Sequence, residues 1–138
     1  MATAAEIKRY RGYVQGEVDG CHYYQTLAAI EEDEQLSSLY RDMAAMEERH
    51  LQLWQDQLTQ AGVPAVRPRP SRRARTLMWA ARRFGSETVL PVLKAMEVGA
   101  DATYAAEPIA VAGGLPNDER AHAQVMAALA GGSSGIAS

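Results

Sequence analysis

The chain has 138 residues, a length that suits one domain with a single substantial core. Hydrophobic residues make up 47% of it, only one residue is Phe, and the alternating pattern of β-strands is missing, so we expect an all-α fold. The single cysteine, Cys21, excludes a disulfide framework and any four-cysteine iron or zinc site, which favours a reducing, cytoplasmic location.

The net charge of −3 is unevenly distributed along the chain. Seven of the 14 basic residues are arginines between Arg67 and Arg83, a segment that contains no acid. The rest of the chain therefore has seven basic and 17 acidic residues, a balance of −10. An acidic protein with one basic segment is poorly suited to a polyanion, so we expect no nucleic-acid partner.

Four helices of unequal length, the fourth of them short, are predicted from the spacing of apolar residues. Gly62 ends the second helix, Ser86 is placed to cap the third, and Pro116 marks the start of the fourth. The acidic residues 31–34 indicate the turn between the first two helices, because acids are favoured at a helix N-terminus. The predicted helices cover about residues 4–32, 33–61, 87–107 and 116–129.

A short basic helix, at about residues 72–84 with Ser71 as its cap, is predicted between the second and third long helices. It is amphipathic and arginine-rich, so it can lie on an anionic membrane surface, where each basic residue contributes about 1 kcal/mol. A solvated connector with Trp79 packed on the helices is an equally good interpretation. The residues assigned to the membrane surface are Arg72, Arg73, Arg75, Trp79, Arg82 and Arg83.

Two of the three histidines follow a glutamate by three residues, in Glu47-x-x-His50 and Glu119-x-x-His122. Residues at this spacing are roughly 60° apart around a helix and about 4.5 Å apart along it. Both side chains can therefore reach one metal ion from the same face. A single pair of this kind is weak evidence for a metal site, because glutamate and histidine often meet at this spacing by chance.

The residues around these pairs are more specific because their pattern repeats. Glu17 is followed seven residues later by Tyr24, and Glu97 is followed seven residues later by Tyr104. Each of these helices precedes a helix that contains Glu-x-x-His, so the sequence predicts two copies of a helical hairpin. The combined ligand set is that of ferritin-like di-iron and di-manganese bundles. The predicted metal ligands are Glu17, Glu47, His50, Glu97, Glu119 and His122.

The direction of the glutamate side chains favours the same site. Glu17 lies on the apolar stripe of its helix beside Cys21, and Glu47 lies on the apolar stripe of the second helix. A buried carboxylate costs several kcal/mol unless it is paired or bound to metal, and two divalent cations would supply the compensating charge. The third pair of this spacing, Asp19-x-x-His22, falls on the opposite side of its helix and is interpreted as a surface pair.

Three further residues are candidates for a supporting role. Asp101 lies one turn after the glutamate of the third helix and is either an additional ligand or a hydrogen-bond partner of a ligand. Tyr24 and Tyr104 are predicted mainly as core residues, and a hydrogen bond to a ligand carboxylate is their second candidate role. Cys21 is assigned to packing, and Glu107 lies too far off the stripe to be included. Carboxylate and imidazole donors without thiolates suit iron or manganese.

Over about residues 7–129 the chain resembles the rubrerythrin and ferritin-like superfamily. Within it, the chain is most similar to the ferritin-like domains fused ahead of membrane transporters of the vacuolar iron transporter type. The four-cysteine rubredoxin domain that rubrerythrins usually add is missing. The resemblance rests on Glu17-Val18-Asp19-Gly20, Met46-Glu47-Glu48-Arg49-His50, Glu97, Glu119-Arg120-Ala121-His122 and the arginine-rich residues 67–84.

This resemblance implies a ferritin-like four-helix bundle over residues 1–130. Residues 131–138 would then be a flexible tail or a linker to a membrane domain. The implied cofactor is two iron ions per site, with manganese as the alternative metal. The implied activity is oxidation of Fe(II) by O₂ or H₂O₂, with iron delivery to, or iron sensing for, an attached iron or manganese transporter at the cytoplasmic face of a membrane.

Two other functions stay open at this point. One is a non-catalytic module in which metal binding controls dimerisation or docking, and the other is a rubrerythrin-like peroxidase. A homodimer is expected in each case, because an apolar face on helices of unequal length is often covered by a second copy.

Overall fold

The computed structural model describes residues 2–136, and it describes side chains for residues 2–130. Over this range the chain is all-helical and contains no strand, which confirms the predicted all-α class. A short 3₁₀ turn, Ser86–Thr88, precedes the fourth helix. The helices are α1 (Ala4–Ile30), α2 (Glu34–Gln60), α3 (Arg72–Phe84), α4 (Leu90–Ala105), α5 (Pro108–Ala112) and α6 (Leu115–Ile136).

The chain divides into two compact units, Met1–Met78 and Trp79–Ser138. In the first unit α1 packs along α2, and the turn between them is only three residues long. In the second unit α4 packs along α6, and α5 lies in the connection between them. Each unit is therefore built around one pair of long helices, as the repeated sequence pattern predicts.

The ends of α1 and α2 are defined by side-chain caps. The Thr3 hydroxyl accepts a hydrogen bond from the backbone N–H of Glu6, whose carboxylate accepts one from the N–H of Thr3 in return. The Asp33 carboxylate accepts from the N–H of Leu36 at 2.9 Å and caps α2. Gly62 follows α2 with a φ of +76°, a conformation that favours glycine, so the helix ends where the sequence predicts.

The core of the first unit has an aliphatic part and an aromatic part. Tyr10 stacks on Trp54 with ring centroids 5.5 Å apart, and Tyr13 lies 4.6 Å from the same indole. Trp54 is fully buried and lies one helical turn after His50 in α2. The buried aliphatic residues of the pair are Val14, Val18, Leu27, Leu51 and Leu58.

The chain between α2 and α3 is held against α1 by side-chain hydrogen bonds. Gln15 Nε2 donates to the carbonyl oxygen of Arg69 at 2.9 Å. The Asp19 carboxylate accepts from the backbone N–H of Ser71 at 2.8 Å and from its hydroxyl at 2.6 Å. Ser71 Oγ in turn accepts from the N–H of Ala74, which confirms the predicted cap of α3. Asp19, interpreted from the sequence as part of a surface pair, is thus half-buried and supports the start of α3.

The start of α4 differs from the sequence prediction. Ser86 does not cap α4, because residues 86–88 form the 3₁₀ turn and the α-helix begins only at Leu90. Pro91 lies in the first turn of α4, where a missing N–H is tolerated and the fixed φ favours a helix start. The proline, rather than the serine, therefore marks the beginning of this helix.

The second unit also contains helical structure that the sequence did not predict. Pro108 begins the short helix α5, which lies between the predicted third and fourth helices. Gly114, with a φ of +77°, makes the turn into α6. The α6 helix continues to Ile136, so the predicted boundary at Gly131 lies inside it, and residues 137–138 of the predicted tail lie outside the described residues.

Candidate metal centre

The first unit brings three of the predicted ligands together. Glu17 projects from α1, and Glu47 and His50 project from α2. Each side chain is at most 3% exposed, and each offers one ligand atom that lies within 4.8 Å of the other two. Nδ1 of His50 lies 3.5 Å from Oε2 of Glu17. This cluster, which we call the first half-site, can hold a metal ion.

The second unit repeats this arrangement with the other three predicted ligands. Glu97 projects from α4, and Glu119 and His122 project from α6. They are between 2% and 7% exposed, and their ligand atoms again lie within 4.8 Å of one another. Nδ1 of His122 lies 3.7 Å from Oε2 of Glu97 and 4.0 Å from Oε2 of Glu119. We call this cluster the second half-site.

The two half-sites have the same chemistry. Each consists of two carboxylates and one imidazole, and in each the histidine ring nitrogen faces the glutamate of the partner helix at 3.5 or 3.7 Å. Two carboxylates so close together in a buried position repel each other, and a divalent cation offsets both charges at once. The structure thus defines a class of protein: an all-helical chain in which each unit buries a Glu/Glu/His cluster that can bind a metal ion.

A group of polar side chains beside the first half-site was not recognised in the sequence. The Arg67 guanidinium makes two hydrogen bonds to the Glu48 carboxylate, at 2.9 and 2.8 Å. These bonds hold the pKa of Glu48 below its usual range. Burial, and after it the nearby Glu48 carboxylate, raises the pKa of the Cys21 thiol to about 12. Cys21 belongs to neither half-site among the described residues, in agreement with its assignment to packing.

The three residues proposed for a supporting role differ in their surroundings. The Asp101 carboxylate lies 3.4 Å from the Arg120 guanidinium and does not join either cluster of ligand atoms within the described range. Tyr24 and Tyr104 are buried, as expected for core residues. Tyr24 lies in α1, the helix of Glu17, and Tyr104 lies in α4, the helix of Glu97. Glu107, which we excluded, is also buried, at the residue that precedes α5.

The basic helix α3 buries only small or flexible residues and exposes its arginines. Ala74, Met78 and Ala81 form its buried stripe. Trp79 is 60% exposed, so it is not packed on the helices, and its ring contacts that of Phe84 edge to face. The exposed arginines of α3 are Arg72, Arg73, Arg75, Arg82 and Arg83.

Comparisons with protein-family models, with curated proteins and with solved structures give no match to this chain. In the described part of the chain, every helix is too short or too polar to span a bilayer.

Proposed function

We propose that this chain is a ferritin-like di-iron domain in which the two half-sites together bind two Fe(II) ions. The observation that supports this most is the repetition of one donor set in two helix pairs, with His–Glu distances of 3.5 and 3.7 Å. Four glutamates and two histidines in this order are the ligand set of ferritin-like di-metal bundles. The four long helices α1, α2, α4 and α6 would form that bundle.

The donor atoms fit iron well. Carboxylate oxygens and imidazole nitrogens without a thiolate suit Fe(II) and Mn(II). Three donors from one half-site leave either ion short of its usual coordination number, so sharing of carboxylates between two ions gives a more complete site. Two divalent cations also balance four buried carboxylates, so the burial of these glutamates is explained by the same assumption.

Oxidation of the bound Fe(II) is the activity that follows from this site. Fe(II) is the substrate: two Fe(II) give one electron each to O₂, which takes up two protons and leaves as H₂O₂. With H₂O₂ as oxidant, the same two electrons and two protons yield two water molecules. The glutamates would hold the iron and offset its rising charge on oxidation, and the buried apolar surroundings exclude bulk water from the site.

Anaerobic titration with Fe(II), followed by O₂ and then by H₂O₂, tests the proposal by absorbance. We expect two Fe(II) per chain, oxidation much faster than that of free Fe(II), and loss of both in Glu47→Ala and His122→Ala. Two bound ions that oxidise no faster than free Fe(II) would favour the metal-sensing module instead. An absence of saturable binding would overturn the metal-binding function altogether.

The resemblance to domains fused with iron transporters adds a proposal about the partner. In that arrangement the domain would deliver iron to a transporter or sense iron for it at the cytoplasmic face of a membrane. A homodimer belongs to the same proposal, and sedimentation analysis of the protein with and without Fe(II) tests it. A monomer under both conditions would contradict it.

A specific observation favours contact of α3 with an anionic membrane surface. Trp79 is exposed and lies at helical spacing from Arg75, Arg82 and Arg83, so that three arginines and one aromatic residue share a helix face. Among the side chains of residues 2–130, no salt bridge to an arginine of α3 is found. Guanidinium groups can bind lipid phosphates while the indole lies at the level of the headgroups.

A further inference from the structure

We propose that Gly20 is a positioning residue for the metal site, because its missing side chain makes the space in which the Glu47 carboxylate lies. This inference rests on the proposed function, in which Glu47 is a metal ligand. It assigns a role to a residue of α1 that makes no direct contact with a metal and that ligand spacing alone does not reveal.

The evidence is the close approach of the Glu47 carboxylate to the backbone of α1. A Cβ atom at Gly20 would lie 2.7 Å from Oε2 of Glu47, 3.1 Å from its Cδ and 3.3 Å from its Cγ. Ordinary van der Waals contact of a Cβ begins at 3.4 Å, so the carboxylate oxygen would be about 0.7 Å too close. Any other residue at this position would therefore have to displace the ligand or the helix.

The surroundings favour displacement of the ligand. Asp19, on one side of Gly20, is held by its two hydrogen bonds to Ser71. Cys21, on the other side, is fully buried in the core of the first unit. The backbone of α1 is thus fixed on both sides of Gly20. The Glu47 side chain has more freedom to respond, because its carboxylate is the end of a rotatable chain.

The size of this displacement matters for a metal ligand. Ligand distances in protein metal sites are met to within about 0.2 Å, and productive site geometry to within about 0.5 Å. A shift of about 0.7 Å therefore exceeds both limits. We infer that Gly20 allows Glu47 to approach α1 closely enough to share a metal ion with Glu17.

The other glycines of α1 show that this contact is specific to Gly20. Gly12 and Gly16 lie in the same helix at intervals of four residues, and a Cβ atom at either would meet nothing within 4 Å. Replacement of any of the three by alanine favours the helical conformation of the chain to the same degree. Gly16→Ala is therefore a matched control, since it changes helix propensity as Gly20→Ala does but leaves Glu47 in place.

The test compares Gly20→Ala with Gly16→Ala by anaerobic calorimetric titration with Mn(II), together with thermal unfolding of the metal-free proteins. We expect wild type and Gly16→Ala to bind Mn(II) equally, and Gly20→Ala to bind it at least about 10-fold more weakly, the loss usual when a group that orients a ligand is altered. Equal affinity in all three proteins would overturn the inference while the metal site itself stands.

A double-mutant cycle with Glu47→Ala separates a positioning role from a merely structural one. In the metal-free wild-type background Gly20→Ala should unfold at a lower temperature than Gly16→Ala, because its methyl group presses on the carboxylate. In the Glu47→Ala background this difference should vanish. A difference that persists without the Glu47 side chain would overturn the inference. If wild type bound no Mn(II) or Fe(II), the proposed function would fail, whereas the metal-free cycle would still test the Gly20–Glu47 contact.

Discussion

The position of Glu47 in the candidate site lowers the stability of the metal-free folded protein. Its carboxylate is buried beside that of Glu17 in the first half-site, and one imidazole lies between the two helices that supply them. Without a cation, two buried carboxylates at such distances destabilise the folded state by their mutual repulsion and by their lost hydration. The metal-free protein should therefore be less stable than its apolar core alone would make it.

Replacement of Glu47 by Gln tests this trade-off. We expect a higher melting temperature for metal-free Glu47→Gln than for the metal-free wild type, because one of two neighbouring charges is removed while the shape is kept. Excess Fe(II) or Mn(II) should stabilise the wild type, by about 2.7 kcal/mol at 100 times the dissociation constant, and the variant much less.

Calorimetry under anaerobic conditions, with and without metal, measures both effects. Glu32→Gln provides the matched control, since Glu32 is exposed and outside both half-sites. An equal gain from metal in wild type and Glu47→Gln would show that this carboxylate is not a ligand.

The raised pKa of the Cys21 thiol should make the free energy of unfolding depend on pH in the alkaline range. Burial raises the pKa of this thiol from its ordinary value of 9.0 to about 12. Between these values the thiol ionises in the unfolded chain but stays protonated in the folded one. The unfolded state then binds fewer protons, so the free energy of unfolding falls as pH rises, by up to about 1.4 kcal/mol per pH unit.

Urea unfolding at pH 8, 9 and 10 measures this slope, and Cys21→Ala should remove most of it over that range. Burial also raises the pKa of Tyr23 and Tyr40 to about 12, so a further loss of stability above pH 10 should remain in the variant. Identical slopes in wild type and Cys21→Ala between pH 8 and 10 would contradict the prediction. Absolute stability does not affect the comparison, because only the change with pH is used.

At the scale of elements, one turn of α1 connects the first half-site to the chain that follows α2. Asp19 supports the start of α3, Gly20 gives space to Glu47, and the nearby Glu48 carboxylate, which binds Arg67, contributes to the raised pKa of the Cys21 thiol. Each of these contacts joins residues far apart in the sequence. Position in this turn therefore determines both the geometry of a ligand and the attachment of the basic segment.

Helix α3 is expected to bind vesicles that contain anionic phospholipid but not neutral vesicles. Co-sedimentation at about 0.15 M and 0.5 M salt tests this, because screening at the higher salt should weaken binding through guanidinium groups. Trp79→Ala and the double variant Arg82→Gln/Arg83→Gln should each reduce the bound fraction several-fold.

Lys8→Gln/Arg11→Gln is the control for this experiment, since it removes two exposed basic residues from α1 instead of α3. Binding that falls equally in the control would indicate attraction by overall charge, and absence of binding at either salt concentration would contradict the proposed membrane contact. An unfolded variant is recognised by its circular dichroism before the binding is measured.

At the scale of the whole molecule, the question is whether metal couples the two units. If both half-sites share two ions, metal bound by residues of one unit also stabilises the other. Hydrogen exchange measured along the chain should then show slower exchange in α1 and α2 when Mn(II) is added, and His122→Ala should abolish this protection although its change lies in α6.

Arg120→Gln serves as the control, because it alters an exposed neighbour of His122 that pairs with Asp101. Full metal-dependent protection of α1 and α2 in His122→Ala would show that each unit binds its own ion. The di-iron proposal would then be replaced by two separate metal sites.

Much of the helical structure was predictable because its signals are local. The caps at Asp33 and Ser71 and the break at Gly62 are read directly from neighbouring residues, so the ends of α2 and the start of α3 were close to the prediction. The second unit was predicted less well. Pro91 and Pro108 are compatible with either a helix start or a break, and packing of α4 against α6 decided between them.

The six predicted ligands illustrate what the sequence by itself determined about this protein. Helical periodicity alone places a glutamate and a histidine three residues apart on one face, and the repeated order of the motifs pairs each with a further glutamate. Only the tertiary structure decided that the Glu47 carboxylate lies against Gly20, that Asp19 supports Ser71 and that Arg67 binds Glu48. These contacts depend on the separation and rotation of packed helices, which residue spacing within one helix does not encode.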